Sequence, residues 1–394
     1  MNSALRHICL ILVICVSRGS TIKVACPEYV ECECNETTIR CHSSEPRDTT
    51  KLNQNFFDEL KDFIQPTTTH LTVSGGNITE LMKNSFGSCS GDSSKSHPSL
   101  TDVVLRNNNI QKIHGQAFHC VPNVLRLDLS LNNWTVSNVN HAAIFSGIPS
   151  LEKLVLTDSM KDNYSGKRHL RRLSAVFNNS HLSALKDIYL GKNDLWTFTS
   201  DASSTLCRVT KNLRILDLHS NNLAKVVFDP CFGNLTNIQL INLRDNSFIG
   251  VTLNTVRMFD QLYKNNPIFT VDFRGNQWDC DCNLVDFVKW VKTTKVNIRG
   301  KQNMTCHDGQ NMGKYLWDIP ASELVCVARA PAQTANAGVV VVSILLVIIC
   351  CVVVVVIILK RNSIKEAYTG FKKSYFAKDV QFSYASVNNS NVDV

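Results

Sequence analysis

The chain has 394 residues, 44% of them hydrophobic, and a formal charge of +8. The excess sits at the two ends: between residue 20 and Lys360, 33 basic residues face 30 acidic ones. A body this close to neutral argues against a nucleic-acid partner, which would need positive charge gathered on a folded domain.

Residues 1–20 read as a signal peptide. Arg6 and His7 precede an apolar run from Ile8 to Val16, and cleavage is expected between Ser17 and Ala25. The run is too short to span a bilayer; the competing reading is a short buried helix. Cys26, Cys32, Cys34 and Cys41 then cluster, with Pro27 after the first, and mark residues 26–60 as an N-terminal cap.

Residues 68–278 are periodic. The pattern L-x-x-L-x-L-x-x-N-x-L occurs at Leu100–Ile110, Val124–Trp134, Leu185–Leu195, Leu213–Leu223 and Ile238–Phe248. A last copy is Ile268, Val271, Phe273, Asn276 and Trp278. Two further copies are degenerate. One has Leu71, Val73 and Ile78 with Gly76 at the Asn position; the other has Leu151, Leu154 and Leu156 with Ser159 there. That makes eight units, each a short strand and an inward turn, none of which can bury its apolar side alone. The buried Asn would satisfy backbone groups at each turn. The resulting fold class is an α/β solenoid, a leucine-rich-repeat horseshoe. Polar stretches at 87–98 and 158–172 break the rhythm and read as surface insertions; the second carries Lys161, Lys167, Arg168, Arg171 and Arg172.

The end units expose apolar stacking faces and need covers. Residues 279–328 supply the second one, with Cys280, Cys282, Cys306 and Cys326. Within it, Leu284, Phe287, Val288 and Val291 recur at helical spacing beside Trp290. Zinc is the rival reading of both cysteine clusters; the oxidising route and capping positions favour disulfides. Cys89, Cys120, Cys207 and Cys231 each lie ahead of a repeat strand, which predicts the pairs 89–120 and 207–231.

A linker over 329–337 leads to Gly338–Leu359, which holds no charge and ends at Lys360 and Arg361. This predicts one transmembrane helix over 338–359, in a lipid bilayer, as a single-pass type I plasma-membrane protein with its N-terminus extracellular. Residues 360–394 then form a cytoplasmic tail. Its end, Val392, Asp393 and Val394, suits a PDZ-domain protein that adds a strand and pockets the last side chain.

Sequons at Asn35, Asn77, Asn133, Asn163, Asn178, Asn234 and Asn303 point to a cell-surface glycoprotein. On the strands, side chains flanking the buried Leu positions would line a concave face. The candidate partner-binding residues there are Asp128, Tyr189, Asp217, His219, Arg244, Asp272 and Arg274. The bland alternative is a solvated scaffold surface. The sequence holds no catalytic or metal-binding motif, so no enzyme, metal or cofactor is expected.

Cys280-Asp-Cys282, Asp286, Val288, Trp290, Lys292, Thr294, Val296, the basic Ile364-Lys365 and the terminal Asp-Val resemble the extracellular leucine-rich-repeat single-pass membrane family, in its trophoblast-glycoprotein branch. The resemblance implies a plasma-membrane glycoprotein that inhibits Wnt/β-catenin signalling through a Wnt co-receptor of the lipoprotein-receptor-related class. An adhesion or matrix-binding receptor without a Wnt role is the alternative. One departure is Val392, where that branch carries a hydroxyl residue; it favours a PDZ domain with two apolar pockets.

Overall fold

A computed structural model describes residues 26–27, 31–43, 52–89, 96–135, 143–160, 169–308, 310–324 and 337–360, together with 365, 368 and 371. The chain forms two units, 1–326 and 327–394. The expected signal peptide, the linker core, Asn163, Cys326 and the tail end Val392–Val394 lie outside the described residues.

The first unit is built on one eleven-stranded sheet whose strands follow chain order. It opens with an antiparallel hairpin, β1 (Cys32–Cys34) and β2 (Thr38–His42), held by the disulfides Cys26–Cys34 and Cys32–Cys41. From β2 onward every neighbour is parallel: β3 (His70–Ser74), β4 (Asp102–Val104), β5 (Arg126–Asp128), β6 (Lys153–Val155), β7 (Asp187–Tyr189), β8 (Ile215–Asp217), β9 (Leu240–Asn242) and β10 (Thr270–Asp272). The second cap adds β11 (Asn297–Arg299).

These strands are short because the apolar alternation lasts only two beats before the turn. Leu216 and Leu218, for example, are fully buried, and Ser220 then takes a left-handed φ of 51°. The same left-handed step recurs at Gly75, Asn107, Leu131, Asp158, Lys192, Asp245 and Gly275. Only Gly and, more weakly, Asn and Asp adopt it cheaply, so Leu131 and Lys192 are held there by the surrounding stack. One residue after this step comes the buried Asn. Asn193 Oδ1 accepts the amides of Ser159 and Met160 at 3.0 and 2.9 Å, while its Nδ2 donates to the Leu156 and Leu190 carbonyls at 2.7 and 2.9 Å. Each Asn thus stitches its own turn to the preceding one and satisfies backbone groups that would otherwise be buried without partners. At the first turn a Cβ on Gly76 would collide with the Leu52 carbonyl, so only glycine lets the front cap pass so close.

The last repeat departs from the pattern read in the sequence. Ile268 is 60% exposed, and Phe269 turns inward in its place, its ring 6.0 Å from Phe259. Around the outer side run α1 (Gln54–Leu60), α2 (His169–Asn178), α3 (Ser200–Val209) and α4 (Leu253–Asn265). Asn53, Thr199 and Thr252 cap α1, α3 and α4 by accepting a first-turn amide. The end of the stretch read as an insertion over 158–172 is helical, since α2 begins at His169.

In the second cap, α5 (Val285–Thr293) buries Phe287, Val288, Trp290 and Val291. Trp290 Nε1 and Thr294 Oγ1 both donate to Asp260 on α4, at 2.8 and 2.9 Å. The disulfide Cys280–Cys306 closes this end, and Cys282 is also disulfide-bonded. Cys89–Cys120 and Cys207–Cys231 join neighbouring repeats.

In the second unit, Ala337–Leu359 forms α6. Over 345–356 and 358–359, where its side chains are described, the large apolar ones are exposed. Among the described residues, no helix is long and apolar enough to cross a membrane. This corrects three expectations from the sequence: the transmembrane helix over 338–359, the lipid bilayer as partner, and the single-pass type I plasma-membrane topology.

Candidate partner-binding face

The parallel register sets Thr72, Val104, Asp128, Val155, Tyr189, Asp217, Asn242 and Asp272 in one row across the sheet. Asp128, Tyr189, Asp217 and Asp272 of the sequence candidates therefore share a single line. His219 and Arg274 stand beside it and fold back onto the row's acids. His219 Nδ1 lies 2.7 Å from Asp217 Oδ1, which also accepts the His219 amide at 3.0 Å and Asn242 Nδ2 at 3.1 Å. This ring position depends on Gly191, because a Cβ there would collide with the His219 imidazole. Arg274 grips Asp272 through Nε and Nη2, at 3.0 and 2.6 Å. That carboxylate raises the Arg274 guanidinium pKa above its usual range. Arg244 is the exception: its Nε pairs with Asp245 at 2.9 Å, away from the row.

Sequence reading missed a second row. The residues two places earlier in the same alternation align as Asp102, Arg126, Lys153, Asp187 and Ile215. A strict period of two would have found them, since side chains two apart on a strand share a face. Asp187 is held by Arg214 in a two-point grip, Nε at 2.9 Å and Nη2 at 2.6 Å. Lys153 Nζ lies 4.8 Å from the centre of the Tyr189 ring, at cation–π distance. Burial, and then Asp187 and Asp217, push the Tyr189 phenol pKa up, so it stays a neutral donor.

Exposure divides the charges by sign. The Asp187 and Asp272 side chains are 7% and 1% exposed, whereas their partners Arg214 and Arg274 are each 46% exposed. Asp128 is likewise 10% exposed against 43% for Arg126. A row that reads as mixed in sequence thus presents its cations outward and keeps its acids below. The described sequons stand elsewhere: Asn35 in the front hairpin turn, Asn77 and Asn133 after the inner turns, and Asn178, Asn234 and Asn303 at the ends of outer helical segments. Among the described residues, no group of acids, histidines and cysteines could hold a metal ion.

A leucine-rich-repeat family model matches residues 98–160. Trophoblast glycoprotein of Mus musculus is 27% identical over 324 residues, 78% of this chain and 69% of that protein. The Macaca fascicularis protein is 25% identical over 315 residues, 76% of this chain and 67% of the relative. The crystal structure of human trophoblast glycoprotein (Wnt-activated inhibitory factor 1) matches with a TM-score of 0.61 at 23% identity, over 77% of this chain and 100% of that one. This likeness is one of fold. None of these findings singles out a lipoprotein-receptor-related Wnt co-receptor or a PDZ-domain protein. Both partner expectations are corrected for the same physical reason: each presupposes a chain that crosses a membrane, and no described helix does.

Proposed function

We propose that this chain, a leucine-rich-repeat horseshoe related to trophoblast glycoprotein, is an extracellular binding protein that holds a folded protein partner on its concave face. The observation that carries the reading is the register-aligned double row from Asp128 to Asp272, rigidly presented and free of sequons. Groups fixed by one another before binding lose little freedom when a partner arrives. The finer reading is that such binding lowers Wnt/β-catenin signalling; the human relative's printed name, Wnt-activated inhibitory factor 1, supports it.

One substitution tests both levels. Val155→Asn creates the sequon Asn-Leu-Thr at 155–157 in the middle of the row. In cells carrying a β-catenin reporter, the wild-type full chain is expected to lower the signal. The Val155→Asn chain, once shown by gel mobility to carry the extra glycan, is expected to lose that effect. A glycosylated variant that still lowers the reporter removes the concave face from the reading. A wild-type chain without effect on the reporter removes the Wnt reading and leaves adhesion, which aggregation of chain-coated beads with cells would then report.

A further inference from the structure

We propose that the partner's contact at the centre of this face is acidic: a carboxylate-bearing segment of a protein that seats between Arg126 and Lys153, against the Tyr189 ring. The inference rests on the concave face being the docking surface and names the chemistry that surface reads.

The two cations stand next to each other across neighbouring strands, Arg126 on β5 opposite Lys153 on β6. Adjacent strands lie about 4.8 Å apart, so like charges are held side by side, an arrangement that is unfavourable unless something negative joins them. The nearby acids do not fill that role. Asp187 is committed to Arg214 in the two-point grip. Asp128 accepts from the Ser130 amide at 3.0 Å and the Ser130 hydroxyl at 2.6 Å, and reaches Arg126 Nη2 only at 3.6 Å. Arg126 Nε is buried and has no hydrogen-bond partner. Lys153 has no carboxylate within ion-pair reach among the described residues; its contact is the Tyr189 ring. The centre of the face therefore holds unmet donors of one sign, beside an aromatic ring with a protonated hydroxyl. Arg214 adds a third outward cation with donors left over from its grip on Asp187.

A carboxylate placed there would take the Arg126 donors and the Lys153 ammonium together. The aliphatic part of its side chain would cover the Tyr189 ring. Burying such a contact makes each charge-assisted bond stronger than its counterpart in water. The Wnt or adhesion role of the chain does not alter this chemistry.

The probe is a ten-residue polyglutamate peptide, with heparin as a sulfated-glycan comparison, binding to the immobilised full-length chain. Wild-type chain is expected to bind polyglutamate, with affinity falling as salt rises from low to physiological strength. Arg126→Glu and Lys153→Glu should each weaken binding on the order of tenfold, and Lys153→Gln by less. Arg257→Glu, on the outer helix α4, should leave it unchanged. Thermal melts identify any variant that has lost its fold, and Lys153→Gln, which removes the charge without placing an opposite one there, covers that case. Equal polyglutamate binding by wild type and Lys153→Glu overturns the proposal. So does heparin binding through these two cations without polyglutamate binding, which would make the occupant a glycan. If Val155→Asn abolishes the reporter effect while Lys153→Glu leaves it intact, the concave face stands and the acidic partner falls. If neither variant changes the reporter, the face itself falls.

Discussion

The two halves of the solenoid are held together differently. From Asn193 to Asn276 every turn carries its asparagine, and each passes hydrogen bonds to the turn before it. The aromatic rings are continuous there as well. Phe198, Phe228, Phe259, Phe273, Trp278, Phe287 and Trp290 run ring to ring, at centroid separations of 5.2, 6.0, 6.1, 5.6, 4.8 and 5.7 Å. In the first half both lines are interrupted. Gly76 and Ser159 replace asparagines, and among the described residues the rings run as Phe57–Phe86–Phe118 and Trp134–Phe145–Phe177. A repeat stack is a chain of nearest-neighbour contacts, so its cooperativity is set at its weakest junctions. Rigidity is therefore graded along the chain, rising toward the second cap.

The sharpest way to break that gradient is to open the ring line where it is densest. Trp278 is fully buried and touches Phe248, Phe273 and Phe287. Trp278→Ala should cost about 4 kcal/mol of unfolding free energy. Denaturant melts of the full chain under oxidising conditions would show it. A loss near 1 kcal/mol would mean that the rings relax around the gap and that the second half is no tighter than the first.

A smaller loss is expected at the junction of the halves. Asn193→Ala removes the oxygen that accepts the Ser159 and Met160 amides and the amide that serves two carbonyls. Leaving those groups buried without partners should cost about 3 kcal/mol. Hydrogen exchange would place the effect: the Ser159 and Met160 amides should lose protection well before those of β9 and β10. Uniform loss across the sheet would mean that the stack melts as one block and has no seam.

Much of the scaffold was legible in sequence, because a buried Leu or Asn must recur wherever a strand and turn recur. The concave row followed from the alternation alone. The charge that a partner meets did not. Asp187 and Arg214 are 27 residues apart, and their grip exists only because parallel strands set the end of one repeat beside the next. Sequence spacing likewise could not tell that Arg244 turns aside to Asp245 while Arg274 stays over Asp272. The exchange of Ile268 for Phe269 was hidden as well, since either side chain satisfies an apolar position and only the ring of Phe259 decides between them. The apolar run over 338–359 shows the limit of composition most directly: it predicts a helix, which forms as α6, and a membrane crossing, which no described helix makes.

The smallest expected effect is a gain, and it bears on why the seam lies where it does. Ser159 is fully buried, and its hydroxyl has no hydrogen-bond partner. In the intact turns an Asn at this position accepts the amide of the preceding turn's Asn, as Asn221 does for Asn193 at 2.9 Å. At Ser159 no side-chain oxygen reaches back to Asn132 in this way. Ser159→Asn should restore the missing rung and raise stability by about 1 kcal/mol, read as a shift in the denaturant midpoint at unchanged slope. The repeat concerned is the one that carries Lys153 and Val155, at the middle of the concave face. A site that must receive a partner gains from some freedom in its supporting turn, and functional positions are where local rules of good packing are most often broken. If Ser159→Asn stabilises the chain and also weakens polyglutamate binding, the missing rung serves the face. If it stabilises without touching binding, the serine is a tolerated defect, and the gradient between the halves is a matter of folding alone.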